Sequence, residues 1–146
     1  MTAITMVSIE TQHIIDRLRA AWQARDIQGV ANLYAPDYEG IDVAQREPQR
    51  GPAGVVQSLA LYVQAFPDIQ FTLDEAIAQD NRVALVYTVR GTHTGSIMHI
   101  PPTGRSIEVK GVSLITVERG QITQGAAIWD VAGLLRTIGL LPELSA

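Results

Sequence analysis

The chain of 146 residues has no cysteine, which excludes a disulfide framework, a thiolate nucleophile and a thiolate metal site. Histidine is scarce: His13, His93 and His99 are the three present, and no two share a His-x-x-x-His spacing. No metal site is expected from such a set. Charge is sparse as well, with 18% Asp, Glu, Lys and Arg and a formal net charge of −4. The eleven basic residues are scattered singly, which argues against a surface that tracks nucleic-acid phosphates. No apolar run is long enough to cross a bilayer. The stretch Met1–Ser8 lacks the basic start and apolar core of a secretory leader. A soluble, cytoplasmic protein with no nucleic-acid or membrane partner is the expectation. No Gly-x-Ser-x-Gly turn occurs, and Gly91-Thr-His-Thr-Gly95 follows a strand without opening a phosphate-binding helix.

The hydrophobic fraction is 47%, enough to bury a core in one domain spanning residues 1–146. Ile14, Ile15, Leu18, Ala21 and Trp22 recur at helical spacing and predict an amphipathic helix over roughly 8–25, with Ser8 or Thr11 as its cap. Asp26 reads as the N-cap of a short second helix running through Tyr34 and ended by Pro36. A strand around Tyr38–Ala44 and a polar loop follow. Gly51-Pro52 opens a third helix that Pro67 stops, with Val55, Leu59, Tyr62 or Val63, and Phe66 on one face. The period then changes to two: Ile69, Phe71 and Leu73 alternate with polar residues, and Val83–Arg90, Ile107–Val117 and Ile122–Trp129 read as strands. Asp130 caps a last helix closed by Gly139. Short turns at Asp80-Asn81 and Arg119-Gly120 make consecutive strands antiparallel. The fold class is therefore α+β, a curved antiparallel sheet wrapped around helices.

The central strands carry small residues where a packed sheet prefers bulky ones. One face of Ile107–Val117 reads Val109, Gly111, Ser113, Ile115, and the last strand holds Gly125, Ala126 and Ala127. Two neighbouring strands thinned together leave a hollow suited to an apolar ligand; a covering helix or a partner subunit is the other reading. Asp42, on the first strand, is a candidate general acid or base if desolvated, or else a solvated strand-end carboxylate. His93 is a candidate for holding a substrate oxygen or moving a proton, or else a histidine with a structural hydrogen bond. Asp130 is a helix cap or a pocket residue. Trp22, Tyr34, Tyr62, Phe66 and Trp129 are core aromatics or, one or two of them, pocket lining.

The segments Val89-Arg-Gly-Thr-His-Thr-Gly95, Ile100-Pro-Pro-Thr-Gly-Arg105 and Trp129-Asp-Val-Ala-Gly-Leu-Leu-Arg-Thr-Ile-Gly139 resemble the SnoaL-like polyketide cyclases of the NTF2-like superfamily. Ala35-Pro-Asp-Tyr38 and Arg50-Gly-Pro52 resemble that family's earlier landmarks. The resemblance covers nearly the whole chain. It implies a cone-shaped fold with an internal pocket, a homodimer formed through the sheet, no cofactor, and a small polyketide-like substrate whose ring is closed. The residues singled out above would place the substrate against Tyr34, Tyr62, Phe66, Gly111, Ser113, Ala127 and Trp129, with Asp42 and His93 as the candidate catalytic residues.

The familiar members of that family close a ring by an aldol reaction with a strand carboxylate as acid and base. By resemblance, that carboxylate falls on Ala127, its accompanying histidine on Ser113, and a polar pair of the first strand on Gly40 and Ile41. Only His93, Asp42 and Asp130 keep titratable groups where relatives have them. An aldol cyclase must take a proton from carbon, whereas a [4+2] closure of a polyene needs only a held near-attack conformer. The family includes proposed cyclases of linear polyene polyketides, an indane-forming cyclase of indanomycin biosynthesis among them. Ring closure in an apolar, shape-defining pocket is the leading expectation. Acid/base chemistry on a polycyclic substrate (aldol closure, isomerisation or hydroxylation) and non-catalytic ligand binding are the alternatives.

Overall fold

The computed structural model describes residues 7–144; the reading of the first six residues as leaderless lies outside them. Helix α1 spans Ile9–Gln23 and starts where Ser8 accepts the Thr11 N–H, which satisfies one of the open donors of the first turn. Helix α2, Ile27–Ala31, is capped by Asp26 as expected. It ends earlier than its sequence suggests, because Tyr34 already begins strand β1, Tyr34–Asp42. Pro36 therefore lies inside a strand instead of stopping a helix. It is tolerated because the pairing of β1 skips from Tyr34 to Glu39, so no ladder hydrogen bond is asked of it. A two-residue strand β2, Gln49–Arg50, sits where the sequence reads as loop. Helix α3 follows at Gly51–Ala65.

Strands β3 (Gln70–Gln79), β4 (Arg82–Thr92), β5 (Ser106–Glu118) and β6 (Gln121–Trp129) form the meander that the alternation predicts, and α4, Val131–Thr137, closes the chain. The six strands make one sheet in the order β2-β1-β6-β5-β4-β3. Antiparallel pairing holds for β3 through β6 and for β1 with β2. The junction of β1 with β6 is parallel, because the two strands are far apart in sequence and joined through the rest of the domain. The sheet is thus mixed at that one seam.

Two apolar clusters fill its concave side. Ile14, Ile15, Leu18, Val30, Val55, Leu85, Ile115 and Ile122 join α1, α2 and α3 to the strands. Phe66, Ile69, Ile97, Ile107, Leu134 and Ile138 tie α4 and the segment before β5 to the end of α3. The exposed Pro-Pro-Thr-Gly-Arg turn is tied down beside this second cluster by hydrogen bonds. Thr103 N–H and Oγ1 lie 3.2 and 2.9 Å from His93 Nδ1, and Arg105 Nη1 donates to the Thr137 carbonyl at 3.0 Å. A cation on the last carbonyls of α4 suits the negative end of the helix.

Candidate active site

Between the concave face and the helices lies a cavity of about 140 Å³, lined by Trp22, Tyr34, Tyr38, Asp42, Ser58, Tyr62, Phe66, Tyr87, Ser113, Ala127, Trp129 and apolar neighbours. Its position follows from strand alternation. Ser113 pairs with Ala127 across β5 and β6, and Ala127 pairs with Asp42 across β6 and β1, so three neighbouring positions face inward together. Helix α3 supplies Ser58 and Tyr62 from the face that also buries Val55.

Asp42 is 5% exposed and is the one carboxylate among the described residues that line the cavity. Its Oδ1 accepts the Ala44 N–H at 2.8 Å and the Trp129 Nε1–H at 2.9 Å. Its Oδ2 accepts the Tyr62 hydroxyl at 2.6 Å and the Gln45 amide at 3.4 Å. A carboxylate offers about four acceptor positions, and here three are taken by short bonds, with the Gln45 amide standing 3.4 Å from Oδ2. Gln45 and Gln49 both donate to Ser58 Oγ, at 2.9 and 2.7 Å. Burial raises the Tyr62 hydroxyl far above the ordinary phenol range, and its bond to Asp42 adds to this.

Seven of the nine residues expected at the site line the cavity: Tyr34, Asp42, Tyr62, Phe66, Ser113, Ala127 and Trp129. Gly111 does not. A Cβ there would lie 2.6 Å from the Tyr87 hydroxyl and 2.8 Å from Trp129 Cβ, so the space is filled by those side chains. Gly125 likewise seats Tyr38, whose hydroxyl would be 2.5 Å from a Cβ. Half of the hollow read from small residues is therefore a pair of seats for tyrosines. His93 is fully buried but not in the cavity lining. It is fixed by Thr103, its ring centroid stands 5.6 Å from that of Phe66, and Nε2 has no partner among the described residues. It cannot meet Asp42 across the cavity, because its ring is enclosed between α3 and the turn before β5. Asp130 caps α4, accepting the Gly133 N–H at 2.8 Å.

Tyr38, Ser58 and Tyr87 are among the cavity residues that sequence reasoning missed. The signal was in the register: Tyr87 is paired with Gly111, and Gly40 with Gly125 beside Tyr38, an aromatic against a residue with no side chain. The hydroxyls of Tyr34, Tyr38 and Tyr87 have no hydrogen-bond partner among the described residues, yet they are not enclosed. Burial pushes Tyr38 up to about 12 and, with the nearby Asp42, Tyr87 up to about 12; it raises Tyr34 further still. All three remain hydroxyl donors at neutral pH. Among the described residues no three His, Cys, Asp or Glu side chains gather as a metal site would require, and no helix is long and apolar enough to cross a membrane.

No curated protein matches the chain. Among solved structures it is similar to AclR from Streptomyces galilaeus, a proposed hydroxylase, with 26% identity over 93% of this chain and 89% of that one and a TM-score of 0.80. It is similar to IdmH from Streptomyces antibioticus, a proposed polyketide cyclase, with 26% identity over 88% and 98% and a TM-score of 0.75. An NTF2-like protein from Burkholderia pseudomallei K96243 shares the fold at 20% identity, covering 90% and 99%, with a TM-score of 0.74. The family model of the SnoaL-like polyketide cyclases matches residues 12–138, from α1 to the end of α4. The chain belongs to the SnoaL-like polyketide cyclase family.

Proposed function

We propose that this protein is a cofactor-independent enzyme that closes a carbon ring in a polyketide-like substrate by an intramolecular [4+2] cycloaddition. One observation carries the choice of mechanism. The single carboxylate among the described residues of the cavity lining is held by three short bonds from protein donors, while three tyrosine hydroxyls stand without partners among the described residues. An aldol closure needs a base free to take a proton from carbon, and Asp42 would first have to give up a donor. A cycloaddition moves no proton. Three π bonds of a diene and a dienophile become two σ bonds and one π bond, and every atom is retained.

Two contributions are available to such a reaction. An aromatic-walled cavity holds the chain folded in a near-attack conformer, a contribution that reaches about 7–11 kcal/mol in favourable cases. A tyrosine hydroxyl bonded to a carbonyl conjugated with the dienophile stabilises the charge drawn onto that oxygen in the transition state. Asp42 serves as the anchor that orients Tyr62 and Trp129.

The test is a pH–rate profile on a synthetic linear polyene enone, following loss of polyene absorbance and formation of an isomer of unchanged mass. The expected profile is flat from about pH 6 to about pH 9 and stays flat in Asp42→Asn. A bell-shaped profile in the native protein that Asp42→Asn abolishes overturns the cycloaddition and restores acid/base chemistry. Tight product binding with no turnover supports a carrier instead.

The same reading includes a homodimer formed through the convex face of the sheet. That face carries Ile41, Ile77 and Ile128 at 54%, 57% and 50% exposure, and no helix of the described residues covers it. A second copy is the occupant that the apolar surface favours.

A further inference from the structure

A second, smaller cavity of about 70 Å³ lies between α1, α2 and α3, and Trp22, Val30, Leu59, Ile69 and Phe71 line both it and the main cavity. The two spaces are therefore separated by one layer of side chains. That layer is aliphatic and aromatic, held by no hydrogen bond, and Trp22, Leu59 and Phe71 are only half-buried. Trp22 touches Phe71 and Tyr87 at centroid distances of 5.6 and 5.9 Å, so the same ring forms the back of the main cavity and the floor of the alcove.

We propose that the alcove is a distal subsite, joined to the main cavity when the side-chain layer between them yields, that takes the uncharged hydrocarbon end of an extended substrate whose reacting segment lies near Asp42. This deepens the functional reading above and rests on it. The main cavity has the volume that holds about one aromatic ring, too little for a whole linear polyketide, and the alcove extends it on the side opposite Asp42. Ala21 and Val63 line the alcove alone and give it an apolar wall. At its rim stand Arg25 and Asp26, of opposite sign. Arg25 donates to the Pro67 carbonyl, and Asp26 accepts the Gly29 N–H as a helix cap. Their opposite charges offset one another at the rim and the wall is apolar, so the occupant is a neutral chain.

The experiment is calorimetric titration of the full chain with linear methyl ketones of about seven to about fifteen carbons, for the native protein, Val63→Phe and Ala21→Phe. Each methylene that enters the alcove tightens binding about fourfold. The expected result is that affinity keeps rising to longer chains in the native protein and levels off several carbons earlier in both variants, with short ketones bound equally by all three. A common plateau for native protein and variants, with short ketones still bound, overturns the subsite while leaving the main cavity's role intact. Loss of binding at every length in both variants overturns it too, because the alcove is then not separable. If the native protein binds no ketone of any length, both the subsite and the functional reading fail.

Discussion

At Asp42 four donors converge on two oxygens within a buried pocket, and the arrangement leaves no tolerance for a change of hydrogen-bond sign. Asp42→Asn turns one acceptor oxygen into an NH2 group facing donors. A cost of about 1–3 kcal/mol in stability follows, visible as a lower denaturant midpoint, and turnover falls without gaining a pH limb. Gly111→Ala acts by volume instead. Its methyl group would meet the Tyr87 ring and Trp129 Cβ, so Tyr87 must move off its position at a cost of about 1–3 kcal/mol, and a carbonyl ligand bound by its hydroxyl weakens. Binding of an aromatic ketone, measured for Gly111→Ala beside Tyr87→Phe, should fall in both. A Gly111→Ala protein that binds as the native one does would mean that Tyr87 is not a ligand contact. Tyr38 and Tyr87 also set an alkaline limit. Their folded pKa values are raised to about 12 from the ordinary 10.0, so the unfolded chain releases these protons first as pH rises. Their contribution is whole below about pH 10 and is lost as pH climbs through about 12. Thermal unfolding across that window should show a falling midpoint, and the fall should be smaller in a Tyr38→Phe, Tyr87→Phe double variant.

Elements show why some of this was legible and some was not. Helices α1 and α3 declare themselves by apolar periodicity, α3 also by the proline of its first turn, and Asp26 and Asp130 cap α2 and α4 as their sequence positions imply. In each case a glycine stands three residues on, Gly29 or Gly133, where a Cβ would overlap the capping carboxylate. The four-strand meander is legible for the same reason, since alternation fixes which face is inward. Three features are not. Pro36 reads as a helix stop, because sequence does not reveal that β1 skips its partner there. A glycine in a strand looks the same whether a ligand or a tyrosine fills the space, so Gly111 and Ser113 could not be told apart. The short hairpin Ile97-Met98-His99-Ile100 carries no turn residue, yet Met98 and His99 adopt φ of 50° and 63° and Ile97 pairs with Ile100. Two adjacent left-handed residues belong to a type I′ turn that favours Asn-Gly. The double substitution Met98→Asn, His99→Gly should therefore stabilise the protein by about 1–2 kcal/mol, read as a raised thermal midpoint. A lowered midpoint would show that these side chains contribute packing that outweighs the strain.

On the scale of the molecule, the two faces of the sheet differ in character. Its concave face is closed by helices around the cavity, whereas its convex face presents a continuous apolar row. Ile77 pairs with Ala84, Ala84 with Leu114, Leu114 with Ala126, and Ala126 with Ile41, so the row crosses β3, β4, β5, β6 and β1. Val86, Val112 and Ile128 make a second row beside it, and the Arg90–Glu108 ion pair at 3.0 Å lies on the same face. Charge at the edge and apolar side chains in the middle are the anatomy of a surface buried by another chain. A stable association of this kind buries upwards of about 1,000 Å², which two sheet faces can supply. Leu114→Lys combined with Ile128→Lys places charge at the centre of the patch, and sedimentation should then report a monomer where the native protein sediments as a dimer. The native thermal midpoint should rise with protein concentration, and the variant's should not. Since Ser113, Ala127 and Trp129 point to the opposite face, the monomeric variant should still bind ketone, which separates the loss of assembly from damage to the cavity. An unchanged sedimentation coefficient for the double variant would mean that the convex face is not where two copies meet.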